Sequence, residues 1–178
     1  MTVNLGATLV EFLEELPEPM REARFAFTRA VMTGRLEARL IEYVRLRSAN
    51  INDCKFCLAV GFPEEQKVAQ IRDPERAEGL TEREKLALVF CDRLNLDPES
   101  IDQAFFELLR TEFSVSEILE LAYAIKWLGM LQSLNDLFEV QADAAVSDAV
   151  DQMVYGEPSL DRSHPYFERK STMKQSRS

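Results

Sequence analysis

Several things are scarce in this chain of 178 residues, and each scarcity excludes something. Three cysteines are too few for the disulfide framework of a small secreted protein. No apolar run approaches the roughly 20 residues that cross a bilayer. The opening stretch, Met1 to Gly6, has no basic flank and no long apolar core, so no secretory signal is expected and the expected location is cytoplasmic. Positive charge is short: 21 Lys and Arg stand against 31 Asp and Glu, giving a net charge of −10. Such a surface repels phosphate backbones and anionic lipid heads, which argues against nucleic acid and membrane partners. There is one histidine, His164, and no run of alternating residues that reads as a strand.

What is present reads as helix. The length fits one domain and is enough to bury a core without staples. We expect a single all-α domain over residues 1–156, followed by a polar tail over 157–178 that begins beyond Gly156. A short amphipathic helix over 7–16 should stop at Pro17-Glu18-Pro19, and a second over 20–32 should stop at Gly34. A third, over 36–48, carries Leu36, Leu40, Tyr43 and Val44 at helical spacing and is interrupted by Asn50-Ile51-Asn52-Asp53. Asn52 or Asp53 can cap a fourth helix, running to about residue 70. Thr81 with Glu84, and Ser114 with Glu117, have the spacing of capping boxes and open two later helices, with another over 100–112 between them. The Ser114 helix should reach residue 140, its apolar face made by Ile118, Leu119, Ala122, Ile125, Leu128, Leu131 and Leu134. A last helix is expected over 142–153.

The chemical signature is Cys54-Lys55-Phe56-Cys57. Side chains three apart on a helix have Cβ atoms about 5–6 Å apart, so a small adjustment of the first turn allows a disulfide to form and break. A helix start stabilises a thiolate through its unpaired amides and positive dipole end, and Lys55 adds a nearby cation. Core filling is the plainer explanation, since cysteine is among the most buried residues. Zinc fits poorly: a tetrahedral site needs about four ligands, Cys91 is far off in sequence and His164 lies in the tail. Cys91, beside the apolar run 86–90, reads as a core residue, and Trp127 and Tyr123 read as packing.

The stretch from Leu40 through Glu42 and Cys54 to Ala59 resembles the core motif of the alkylhydroperoxidase D and carboxymuconolactone decarboxylase superfamily. In its redox branch a glutamate precedes a Cys-x-x-Cys that opens the next helix, and Glu42 stands twelve positions before Cys54. The stretches at Leu80 to Lys85 and Leu134 to Asp136 are similar to downstream parts of the family, so the likeness covers about residues 21–141. The resemblance implies a compact multi-helix bundle that assembles into homo-oligomers. It also implies a thiol-dependent peroxidase or disulfide reductase restored by an external thiol or dithiol; no metal and no bound cofactor are expected. By position, Cys57 would be the peroxidatic cysteine, Cys54 the resolving one, and Glu42 part of the proton relay. Dipole reasoning alone favours Cys54 as the attacker, because it lies nearer the helix start.

The family's histidine, four residues after the second cysteine, is replaced here by Gly61. A relay without its imidazole loses the group best suited to move protons near neutral pH, typically worth about 10²–10⁴-fold. Two alternatives therefore stand beside the enzyme: a non-catalytic helical protein or redox sensor, and a lactone-processing enzyme, for which a suitable histidine is missing. Glu42 also has a simple structural use, since Arg45 is one turn away and could pair with it at the surface.

Overall fold

A computed structural model describes residues 9–59, 71, 73–74 and 79–140. Among them are seven α-helices, one 3-10 turn and no strand, as the composition leads one to expect. The helices are α1 (Leu9–Glu14), α2 (Glu18–Met32), α3 (Ala38–Ile51), α4 (Lys55–Ala59), α5 (Glu82–Leu96), α6 (Gln103–Leu109) and α7 (Val115–Leu137), with the 3-10 turn at Pro98–Ser100. The expected helix over 142–153, the tail, Gly61 and His164 all lie outside the described residues.

Both capping boxes form. Thr81 and Ser114 each accept the backbone amide three residues on, while Glu84 and Glu117 reach back to the cap amides. Elsewhere the boundaries differ from the sequence reading for identifiable reasons. Pro17 and Pro19 open α2 instead of only closing α1, because a proline in a first turn forfeits no helical hydrogen bond. The interruption after α3 begins later than expected, since Asn50 and Ile51 are still helical. The expected helix over 100–112 is shorter at both ends. Asp102 caps it by accepting the Phe105 amide at 2.8 Å, and a 3-10 turn occupies the approach.

Gly34 has a different purpose from the left-handed stop expected of it. The glycine with positive φ among the described residues is Gly79. At Gly34 a Cβ would overlap the Glu120 carboxylate, which accepts the amides of Arg35 at 2.7 Å and Leu36 at 3.2 Å. A side chain of α7 thus ties down the link between α2 and α3, and the missing Cβ makes room for it.

The main core lies where α3 packs against α5 and α7, filled by Leu40, Ile41, Val44, Leu88, Leu121 and Ile125. The buried face of α7 is only partly the expected one. Ile118, Leu121, Ile125 and Leu128 point inward with Gln132 and Asn135, whereas Leu119 (57% exposed) and Leu134 (36% exposed) face out. The helix is apolar around most of its circumference, so composition could not say which side faces the core. Its outer side carries Leu119, Tyr123, Met130, Leu134 and Leu137 in one exposed stripe. A second, smaller cluster joins Leu9 and Leu13 of α1 to Val140, with Phe12, Phe25, Phe56 and Phe138 packed on it. Phe56, between the two cysteines, also packs against Cys54 and Cys57, so it connects α1 to the dithiol.

Candidate active site at the head of helix α4

Two helices meet at the dithiol with almost no linker. At the end of α3, Asp53 adopts the left-handed conformation (φ 49°), which aspartate tolerates better than most residues. Its amide donates to the Asn50 carbonyl at 3.4 Å, and the Cys54 amide donates to the Ala49 carbonyl at 3.0 Å. This is a Schellman ending, completed by the apolar contact of Ala49 with Cys54. The same Cys54 then starts α4: its carbonyl accepts the Leu58 amide at 3.0 Å, and its sulfur accepts the Cys57 amide at 3.2 Å. The cap of α4 is therefore the cysteine sulfur itself, where the sequence pointed to Asn52 or Asp53; those two residues are used to end α3. Asn52 instead donates to the Ser48 carbonyl at 2.9 Å and to Gln132 at 3.3 Å.

Cys54 and Cys57 form a disulfide, with their Cα atoms 5.3 Å apart, within the usual range for such a bond. Cys54 is fully buried, while Cys57 keeps 8% of its surface exposed. Two groups from other helices hold Cys57. From α3, Arg45 donates to its carbonyl at 2.6 Å. From α7, the Asn135 side-chain amide lies 3.6 Å from its sulfur.

Glu42 is at the site, and its pairing with Arg45 is not the surface contact that the sequence allowed. The two side chains are 12% and 15% exposed and meet in a two-pronged ion pair, Nε to Oε2 at 2.7 Å and Nη2 to Oε1 at 2.8 Å. Glu42 therefore reaches the Cys57 backbone through Arg45. Gln132 fixes the same part of α3 by donating to the Arg45 carbonyl at 2.8 Å. Of the residues singled out in the sequence, Cys54 and Cys57 are bonded to each other and Glu42 is linked to Cys57 through Arg45; Asn135 and Gln132 were not singled out. A signal existed: both continue the spacing of Ile118, Leu121, Ile125 and Leu128, so they are polar residues on an apolar face. Such positions need a specific partner, because a buried amide is costly without one.

Cys91 provides the contrast. It is buried mid-helix in α5, and burial, reinforced by Asp92, pushes its thiol up to about 12. It is an inert core residue, as its setting in the sequence suggested.

No family model matches the chain, and no curated protein matches it. Solved structures do. A protein of unknown function from Agrobacterium tumefaciens, provisionally described as the antioxidant defence protein AhpD, is 27% identical with a TM-score of 0.66, over 77% of this chain and 99% of its own. An uncharacterized peroxidase-related protein from a Silicibacter species is 18% identical with a TM-score of 0.65, over 76% of this chain and 77% of its own. One from Ralstonia eutropha, described as an alkylhydroperoxidase AhpD core, is 18% identical with a TM-score of 0.61, over 71% and 72% of the two chains. The latter two share the fold; the first shares fold and a measurable part of the sequence. With its dithiol joining α3 to α4, the chain thus has the helical fold of these alkylhydroperoxidase D-like and peroxidase-related structures and is similar to them.

Proposed function

We propose that the chain is a thiol-dependent oxidoreductase that cycles Cys54 and Cys57 between dithiol and disulfide, acting as a hydroperoxide reductase or as a disulfide reductase. The observation that carries this reading is the disulfide at the head of α4, whose second cysteine keeps a little exposed surface and has its sulfur facing a side-chain amide. Cys57 is the sulfur suited to meet substrate, since Cys54 has no exposed surface. In the forward step the Cys57 thiolate attacks the terminal oxygen of a hydroperoxide. The O–O bond breaks, the alkoxide leaves and takes a proton, and Cys57 becomes a sulfenic acid. The Cys54 thiol then condenses with it, releasing water and forming the disulfide. An external dithiol returns two electrons and two protons by exchange and becomes a disulfide itself.

Glu42 and Arg45 serve this cycle as a joined pair. Arg45 anchors the Cys57 carbonyl, and Glu42 is the carboxylate through which a proton can leave the buried site. We expect a cytoplasmic location, where a reducing environment keeps such a pair in the dithiol state between turnovers. We also infer a homo-oligomer, with the exposed apolar stripe of α7 as the surface it would cover. Sedimentation as a monomer at micromolar concentration would remove that part.

The test is consumption of an alkyl hydroperoxide in the presence of a dithiol reductant, with mass spectrometry of both cysteines. Turnover with a Cys54–Cys57 disulfide after each cycle is expected; reduced, folded protein whose thiols stay unreacted toward both the hydroperoxide and a small disulfide would end the reading. The near-complete burial of both cysteines favours one other reading, a redox sensor. It predicts oxidation once per chain, without turnover under excess reductant.

A further inference from the structure

We propose that Asn135 is a further catalytic residue of this dithiol cycle: its side-chain amide is the donor that holds the Cys57 sulfur as a thiolate once the disulfide is reduced. The inference rests on the thiol-dependent reading above and goes beyond it by assigning a role to a residue of α7.

Three observations carry it. Asn135 is buried, and its Nδ2 is aimed at the Cys57 sulfur at 3.6 Å. The end of α7 is completed without that side chain, because it is the backbone carbonyl of Asn135 that accepts the Val140 amide at 2.9 Å. Gln132, one turn earlier, is engaged elsewhere, donating to the Arg45 carbonyl and accepting from Asn52. So a polar side chain in an apolar setting points at a sulfur atom, and nothing in the termination of its own helix requires it.

The physical argument is one of difference. A disulfide sulfur is a weak acceptor, so in the oxidised protein the amide gains little. A thiolate is an anion, and hydrogen bonds to charged acceptors are about twice as strong as neutral ones. The amide is therefore better satisfied after reduction than before it, and it favours the thiolate over the thiol. An asparagine has no proton to lose, so this support does not change with pH, unlike that of an imidazole. A dithiol reductant delivers two electrons and two protons: one proton goes to the Cys54 sulfur, the other goes to solvent while Cys57 stays a thiolate, and the amide keeps its own. The charged groups on the elements around Cys57 are Arg39, Glu42, Arg45 and Arg47 of α3, Asp53 at the turn, Lys55 of α4, Glu117, Glu120, Lys126 and Asp136 of α7 with Glu139 just beyond it, and Glu11 and Glu14 of α1. All of these are retained when Asn135 alone is changed, so a variant isolates the amide.

The experiment is the pH profile of alkylation at Cys57 and Cys54, read residue by residue in the reduced full chain, for wild type, Asn135→Ser and Asn135→Asp. Asn135→Ser should raise the Cys57 midpoint by about one pH unit and leave Cys54 nearly in place. Asn135→Asp, which keeps the shape but puts a carboxylate against the sulfur, should raise it further. Superimposable Cys57 profiles in variants that melt cooperatively would overturn the proposal. Wild-type protein gives an independent readout by NMR. The Asn135 side-chain amide protons should titrate with the Cys57 midpoint, and protons that do not move would also overturn it. Oxidation by a hydroperoxide and by a small disulfide is measured in parallel: a wild-type Cys57 that titrates with Asn135 yet is oxidised by neither would sink the oxidoreductase reading and leave Asn135 as the donor to the thiolate.

Discussion

Helices α7 and α4 begin with the same problem and solve it with different atoms. Each has backbone amides with no partner inside the helix. At the head of α7 the Ser114 hydroxyl and the Glu117 carboxylate close a capping box, and Arg83 joins Glu117 at 2.6 Å. The Ser114 hydroxyl, then its amide, then Arg83 hold the Glu117 carboxyl down to about 2. At the head of α4 the acceptor is the Cys54 sulfur, and the next sulfur in line faces Asn135. Amide donors pull on an acceptor in both places. On α7 the acceptor is a carboxylate whose charge is permanent near neutrality, and the result is stability. On α4 the charge of the acceptor depends on the redox state, and that dependence is what the proposed dithiol cycle would use.

The largest expected effect breaks the comparison at α4. Cys57→Ser should reduce hydroperoxide turnover to background, whereas Cys91→Ser, in the inert core position, should leave turnover in place; both are read by peroxide consumption with a dithiol. Arg45→Met strips the guanidinium from Glu42 and from the Cys57 carbonyl. It should cost about 3 kcal/mol in urea denaturation, and adding Glu42→Met should restore much of that. On the α7 side, Ser114→Ala should cost about 1 kcal/mol by the same measurement, with turnover retained.

The pH response of the α7 head follows from its sign. The Glu117 carboxyl is lower in the folded protein, at about 2, than its ordinary value of 4.5. Its contribution is therefore complete above pH 4.5 and is lost as pH falls toward 2. Glu117→Gln should melt at a lower temperature than wild type at pH 6, and the gap should close on acidification. The smallest effect sharpens the comparison at the turn into α4. Asp53→Gly relieves the left-handed strain against a loss of chain stiffness, for a net gain of about half a kcal/mol in urea.

Much of this was legible in the sequence. The helical class, both capping boxes and the pairing of Glu42 with Arg45 came from spacing, because these depend on residues near one another along the chain. What was not legible depends on what packs opposite. Leu119 and Leu134 look like core residues on a helix that is apolar nearly all round, and only α3 and α5 decide that Leu121 and Gln132 face inward. Asn135 looks like an ordinary polar residue near a helix end until Cys57 is set beside it. Pro17 and Pro19 read as a break because a proline stops one helix and starts the next equally well. The role of the Cys54 sulfur as a cap was hidden because Asn52 and Asp53, better capping residues, stand just before it.

The disulfide joins residues only three apart in sequence. A bridge that closes so short a ring restricts the denatured chain little: the loop-entropy relation gives about 2 kcal/mol, against about 4.7 for a 100-residue loop. Cutting the bridge thus leaves the packing of α3, α5 and α7 to hold the fold, and the protein can open and close its one covalent cross-link among the described residues without approaching the unfolded state.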